Sequence, residues 1–461
     1  MKTYDAVVVG AGMAGSTAAL RLTQLGQDVA LLDAAEDPSA GGNTALSGGG
    51  LHIARLSLDS KPARLLRRMV YAPSGNLRED LAEALAENAA RAFTWLLDQG
   101  AEFEPESPGD IAYHFAPHRH LDDVHAWPGR GPQRVLQLLQ QRFRDAGGEV
   151  ISGTRARGLT RLPDGRLELT SETGATLRAK SVVLCDGGFQ ANLELRRRFY
   201  GPSSDKIFLR GNVYGRGDGL LMGESLGAKL SNTEWFYGHC LHRDVLHNDR
   251  LWPWPGLDEL LTDGGILVDV HGHRLTDEGL GGPHAGNVVT RLDDPLSTFV
   301  VLDEELWAQS DEVVWGHLAT NTELTARGAT IHRGANAAAV AAEAGIDPVE
   351  LDKTVAEYNA AVEAGTADEL PTPRTGKSSP LGGGFIAVPL IPGITHSMGG
   401  LVITPGGQVV DTSDEPIPGL YAAGPTGTGP HGAYFGGLAT ALVQALLAAE
   451  SITSVRQPEN A

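Results

Sequence analysis

The stretch DAVVVG at 5–10 runs directly into GAGMAG at 10–15, and no other feature of the chain narrows its fold as far. A short β-branched run with no polar alternation reads as a strand buried on both faces, as in a parallel sheet. The glycines that follow have the spacing G-x-G-x-x-G, and each has its own reason. Gly10 permits a tight turn, Gly12 lets backbone amides approach a pyrophosphate, and Gly15 lets the next helix lie close to the strand. The spacing predicts a helix over 13–26 whose N-terminal dipole faces the phosphates, then a second buried strand over 28–32. That strand ends at Asp33, an acid placed to accept ribose hydroxyls and to disfavour a 2′-phosphate. Strand, glycines, helix, strand and acid in this order describe an α/β dinucleotide-binding unit.

The chain has 461 residues, too many for one ordinary core, so two domains or one domain with a large insertion is expected. A formal net charge of -20 argues against nonspecific binding to nucleic acid or anionic lipid. An anionic substrate would need a local positive pocket. Cys185 and Cys240 are far apart in sequence and form no disulfide framework, haem-attachment motif or metal-ligand spacing. The first strand begins without a charged leader, and no stretch approaches the ~20 apolar residues of a membrane helix. The expectation is a cytoplasmic protein with no membrane span.

The segment GGNTALSGGG at 41–50 is too glycine-rich for a helix or a regular strand, and offers amides and the hydroxyls of Thr44 and Ser47 to something large and flat. It resembles the flavin-contacting segment of the fumarate reductase and succinate dehydrogenase flavoprotein family. Soluble relatives in that family include urocanate reductases, tricarballylate dehydrogenases and 3-ketosteroid dehydrogenases. Four further marks are similar, in the same order: VVLCDGGF at 182–189, GDG at 217–219, FIAVPLIPGITHSMGGL at 385–401 and IPGLYAAG at 417–424.

The resemblance implies a Rossmann-like FAD-binding domain, split in sequence into 1–230 and 380–461, with an inserted α+β cap over 231–379. It implies FAD contacts from Gly10, Gly12, Met13, Ala14, Gly15 and Asp33, and from Gly42, Asn43, Thr44, Ser47, Gly48, Gly49 and Gly50. Later contacts would come from Ala156, Asp186, Gly187, Gly188, Asp218, Gly424, Gly437, Leu438 and Ala439. Some relatives attach FAD through a histidine in the glycine-rich segment. Asn43 stands in that place, so noncovalent FAD is expected. Pro425 stands where relatives commonly carry a glutamate toward the ribityl chain.

The family's chemistry passes a hydride between the flavin and a substrate carbon, and needs a polarised carbonyl or carboxylate and a proton carrier. His396, in THSMGG, matches a substrate-side histidine able to donate to an enolate. His431 matches a second one. Relatives that reduce fumarate follow that second histidine with a carboxylate-clamping arginine; this chain has Tyr434 near that place. Their proton-donating arginine, four residues after the glutamate of the segment resembling Asp277-Glu278-Gly279, is here Gly282, with His284 and Arg291 as the nearest substitutes. Losing both arginines counts against fumarate or succinate. Tyr434 and His284 are therefore the proton-transfer candidates.

The histidines His114, His118, His120 and His125 fit no single helix face and read as pocket wall or surface loop sooner than as a metal site. Trp235, Phe236, Tyr237, Trp252 and Trp254 read as a pocket wall or as core. The expected function is FAD-dependent oxidation or reduction of a C–C bond beside a carbonyl or carboxylate, on a small ketone or carboxylate, with a separate electron donor or acceptor. The rival readings are a flavin-dependent amine or amino-acid oxidase of similar fold, and a flavoprotein without catalysis.

Overall fold

A computed structural model describes residues 2–70, 77–105, 113–117, 128–251, 256–310, 320–430 and 434–454. The strands β1 (Thr3–Val9), β2 (Val29–Leu32), β3 (Glu149–Ile151), β4 (Ala156–Arg161), β5 (Leu167–Ser171) and β6 (Thr176–Leu184) build the first sheet. β1 lies between β2 and β6, parallel to both, and β3 extends the parallel part beyond β2. The strand Pro416–Ala422 joins β6 in parallel on the other side. Successive residues of β1 serve two different cores. Ala6 and Val8 pack into one apolar cluster and Val7 and Val9 into another, as expected of a strand covered on both faces. The helix α1 (Met13–Gln24) begins within one turn of β1.

The second sheet is antiparallel: β7 (Phe236–His242), β8 (Ile266–Asp269), β9 (Thr298–Asp303) and β10 (Phe385–Ser397), in the order β7-β10-β9-β8. It too is double-faced, with Leu267, Val300 and Val388 in one cluster and Ile266, Val301 and Ala387 in the other. Its β7 edge packs against helices α2 (Leu257–Asp263) and α3 (Gly282–Thr290). The segment from 385, which the sequence reading joins to the dinucleotide-binding part, pairs as β10 with this second sheet. So does the short strand Phe208–Leu209, from before 231.

The thirteen-residue β10 carries its C-terminal end back to the first sheet, where Phe189 N donates to Ser397 Oγ at 3.3 Å. The chain then closes with α4 (Gly437–Ser454), which packs along α1. Among the described residues α4 is the one helix long and apolar enough to cross a membrane, and it is largely buried in the core.

One local reading differs from the sequence expectation. The 41–50 segment contains a one-turn helix, Asn43–Leu46, because its five non-glycine residues follow one another, Gly42 opens the turn and Ser47 closes it. Asp347 caps the helix Pro348–Ala364, its carboxylate accepting from Val349 N and Glu350 N, as the Asp-Pro pair predicts.

Candidate active site

A cavity of about 380 Å³ runs from the glycine loop to the far end of β10, well within the ~300–1,000 Å³ of ordinary ligand sites. At one end the loop is held open by its own backbone. A Cβ at Gly10 would lie 2.4 Å from Cys185 O, and one at Gly15 would lie 1.6 Å from Gly10 O, so both positions are closed to side chains. A Cβ at Gly12 would meet nothing nearer than Thr44 Oγ1 at 3.6 Å, so this glycine opens onto the cavity. Thr44 Oγ1 accepts from Met13 N at 3.1 Å, fixing the 43–46 turn against the start of α1.

Asp33 accepts from Ala11 N at 2.6 Å and Ala35 N at 2.8 Å, and burial raises its carboxyl above the usual range. Two amide contacts leave lone pairs free for hydroxyls. Farther along, Asp186 accepts from Gly219 N at 2.8 Å, and burial pushes it up to about 6. Asp218 pairs with Arg155 and, at 2.7 Å, with Arg157.

At the other end β7 and β10 set Tyr237 opposite His396, with a bulge just after Tyr237. Tyr237 stacks on Tyr434, with ring centroids 3.6 Å apart and planes 14° apart, and lies 5.3 Å from the His396 ring. His396 Nδ1 faces Ser397 O at 2.9 Å. A carbonyl only accepts, so Nδ1 carries the hydrogen, and burial lowers the imidazole below its usual range. Neutral His396 therefore turns its other nitrogen, Nε2, out as an acceptor, not as the enolate donor of the sequence reading. A Cβ at Gly437, the first residue of α4, would lie 3.5 Å from that nitrogen.

Burial raises both tyrosines, so they remain neutral phenols. Arg210 Nη1 donates to Thr395 Oγ1 at 3.0 Å and brings a cation to the cavity wall, in a chain whose net charge is strongly negative. His239 joins this end of the cavity, with Nε2 3.0 Å from Tyr237 Oη and Nδ1 against Asp258.

This geometry couples a nucleotide-sized cleft to a cluster of phenols and imidazoles, and the comparisons with known proteins agree with it. The FAD binding domain family matches residues 5–439. The chain belongs to that family. It is 28% identical over 454 residues to "Probable fumarate reductase Ifc3" of Shewanella frigidimarina (strain NCIMB 400), covering 94% of this chain and 71% of that one. It is 27% identical over 435 residues to a urocanate reductase of Eggerthella lenta, covering 91% and 69%. In fold it matches the 3-ketosteroid-delta4-(5alpha)-dehydrogenase of Rhodococcus jostii RHA1, solved with 4-androstene-3,17-dione, at a TM-score of 0.74 and 22% identity, over 98% of this chain and 97% of that one. The protein is an FAD-dependent oxidoreductase, similar along most of its length to proteins named as fumarate and urocanate reductases.

As a member of the FAD binding domain family, the chain brings most of its expected cofactor residues to one cavity. Gly10, Gly12, Met13, Ala14, Asp33, Gly42, Asn43, Thr44, Ser47, Gly48, Gly49, Gly50, Ala156, Asp186, Gly187, Asp218, Gly437 and Leu438 all line it. Gly15, Gly188 and Ala439 lie behind the lining; a Cβ at Gly188 would come 2.3 Å from Ser397 Oγ. Gly424 lines a small adjoining cavity shared with His396 and Tyr434.

Of the expected catalytic residues, His396 and Tyr434 meet in the cavity. His284 does not line it and places Nε2 3.1 Å from Thr276 Oγ1. Arg291 lies over the Trp235 ring, 4.6 Å from its centroid. Phe236 is buried in the core. His431, His118, His120, His125, Trp252 and Trp254 lie outside the described residues, while His114 lines the cavity. No group of three His, Cys, Asp or Glu able to hold a metal occurs among the described residues.

Sequence reasoning missed Arg210, His239 and Asp258, and read Tyr237 as pocket wall or core. The one available signal was the alternation of Tyr237 and His239 on a strand, which puts both on one face.

Proposed function

We propose that the protein oxidises or reduces the C–C bond next to the carbonyl of a ketone or monocarboxylate, and that fumarate and succinate are not its substrates. The observation that carries this reading is the stacked Tyr237–Tyr434 pair beside His396, at the end of the cavity away from the glycine loop. FAD, when bound, supplies the hydride chemistry. The loop 10–14 and the start of α1 would hold its pyrophosphate, Asp33 its ribose, and 42–50 with Gly437 its flavin end.

The chain's own groups handle the carbonyl. Tyr434, a neutral phenol, is a hydrogen-bond donor of the right kind for an oxygen that becomes enolate-like. His396 Nε2 stands as an acceptor at the same end of the cavity. Arg210 adds positive charge for the developing oxyanion or for a single carboxylate. A dicarboxylate asks for two such cations and the bidentate clamp whose place Tyr434 takes. The relatives named as reductases of fumarate and urocanate support the reaction class and leave the substrate to this chain's own pocket.

The test is an anaerobic titration of the FAD-loaded protein with saturated and unsaturated ketones, mono- and dicarboxylates and amino acids. Bleaching by a saturated ketone or acid, or reoxidation of the reduced flavin by an enone or enoate, is the expected result. Turnover with fumarate, or bleaching by amino acids alone, would overturn the reading.

A further inference from the structure

Asp258, His239 and Tyr237 form a continuous hydrogen-bonded chain ending in the cavity. Asp258, near the start of α2, accepts from Cys240 N at 2.8 Å through one oxygen and meets His239 Nδ1 through the other. An ionised carboxylate accepts only, so Nδ1 carries the imidazole hydrogen and Nε2 is left as a base. That nitrogen sits 3.0 Å from Tyr237 Oη, so the phenol donates to it. Tyr237 and His239 both line the cavity.

The room for this chain comes from Gly282, at the start of α3, the position that the sequence resemblance matches to a proton-donating arginine. A Cβ at Gly282 would lie 1.9 Å from Asp258 Oδ1. The Asp258 carboxylate therefore fills the space that any side chain at 282 would need. The two arrangements exclude each other.

We propose that Tyr237 is the acid–base catalyst for the carbon next to the substrate carbonyl, with His239 and Asp258 as the positioning residues that carry its proton. This rests on the reading of the site as one for carbonyl compounds.

In the oxidative direction the C–H bond at that carbon breaks and its proton goes to Tyr237 Oη, while the phenol's own proton passes to His239 Nε2. The imidazolium so formed is held by Asp258. The electron pair of the broken bond becomes the new C=C bond as the neighbouring carbon gives up a hydride, two electrons and a proton, which oxidised FAD, when bound, would accept. The reductive direction runs the same steps backwards. The relay answers a difficulty that burial creates. A phenol pushed well above its usual range does not stand ready as phenolate, so it takes a proton only while handing its own on. The titratable and charged groups around Tyr237 are Tyr434, His396, His239, Arg210, Arg55 and Asp258.

The experiment uses the FAD-loaded protein and its Tyr237→Phe, His239→Gln and Asp258→Asn variants, with His284→Gln as a control. Nitrogen NMR of the His239 ring reads the relay without turnover: a protonated Nδ1 and an accepting Nε2 near neutral pH are expected, shifted in Tyr237→Phe. The flavin half-reactions with cyclohexanone and cyclohexenone read the chemistry. Tyr237→Phe should lose about 10²–10⁴-fold in rate, the scale of general acid–base catalysis, with probe affinity within about threefold. In the wild type the oxidative rate should fall as pH drops through the lowered His239 range, because a protonated imidazole cannot accept. His239→Gln should be slower by at least about tenfold and lack that acid limb, whereas a merely structural role would leave the limb in place.

A protonated Nε2, or full rate in Tyr237→Phe, overturns the relay and leaves the function reading standing. A wild-type flavin that reacts with neither probe nor any other carbonyl compound overturns the function reading and the proton role together, even with the tautomer as expected.

Discussion

Asn43 has both ends of its side chain engaged: Nδ2 donates to Thr395 O at 2.9 Å and Oδ1 accepts from Asn212 N at 2.7 Å. A carboxamide so held clamps the 41–50 segment to β10, and it offers no imidazole for a covalent link. Acid precipitation of the FAD-loaded protein should leave the yellow colour in the supernatant; colour retained in the pellet would refute noncovalent binding. His52, on the same cavity wall, makes a second prediction at this scale. Burial, with Arg55 and His114 nearby, pushes its imidazole from 6.5 down to about 4. The folded pKa is the lower one, so the unfolded chain takes up a proton that the folded chain refuses. The His52 share of stability is therefore intact above pH 6.5 and is lost as pH falls toward 4, by about 3 kcal/mol at ~1.36 kcal/mol per unit. Urea unfolding of His52→Gln at pH 7 and near pH 4.5 should show a correspondingly shallower acid decline. An unchanged slope would show that His52 is not the titrating group.

At the scale of the element, the turn from β1 into α1 separates two uses of glycine. Gly15→Ala would drive a Cβ into Gly10 O and push the helix off the strand, so it should cost at least the ~1–3 kcal/mol of an overpacked core and weaken FAD binding as a consequence. Gly12→Ala meets no protein atom closer than ordinary contact, so stability should hold within about 0.5 kcal/mol while FAD affinity falls. Chemical denaturation of the FAD-free variants and flavin fluorescence titration would check both; equal stability losses would contradict the geometry. This turn was readable because its constraints are local: an apolar run, glycine spacing and a helix start lie within about fifteen residues. The reactive end was only half readable. His396 and Tyr434 stood in segments with a family resemblance. The contact of Asp258 with His239 depends on how α2 lies against β7, and the loss of a side chain at Gly282 makes sense only once Asp258 is seen in its space. No spacing in the sequence encodes that. The tautomer of His396 was equally hidden, because it is set by the Ser397 carbonyl.

At the scale of the whole molecule, the chain must return from β9 to β10 to complete the second sheet, and Glu278 ties that return down. The Asp277-Glu278-Gly279 segment drew notice in the sequence as a family-like motif near chemistry, yet Glu278 does not line the cavity. It is fully buried, with Arg274 at 2.6 Å and Arg374 at 3.3 Å, and it also accepts from Leu267 N at 2.8 Å on β8. Arg374 itself donates to Leu261 O at 3.0 Å and Gly265 O at 3.2 Å, and Arg274 donates to Thr372 O at 2.7 Å. One carboxylate thus joins 261–278 to 372–374, on the segment that leads into β10. Removing its charge leaves two guanidiniums facing each other without water, and breaking such a buried pair costs about 3–5 kcal/mol. Glu278→Gln should therefore lower the urea-unfolding free energy by about that much. The glycine loop is built on the other sheet, so whatever protein remains folded should bind FAD within a few-fold of the wild type. A loss of FAD affinity with stability unchanged would reverse the assignment and put Glu278 in the site's chemistry.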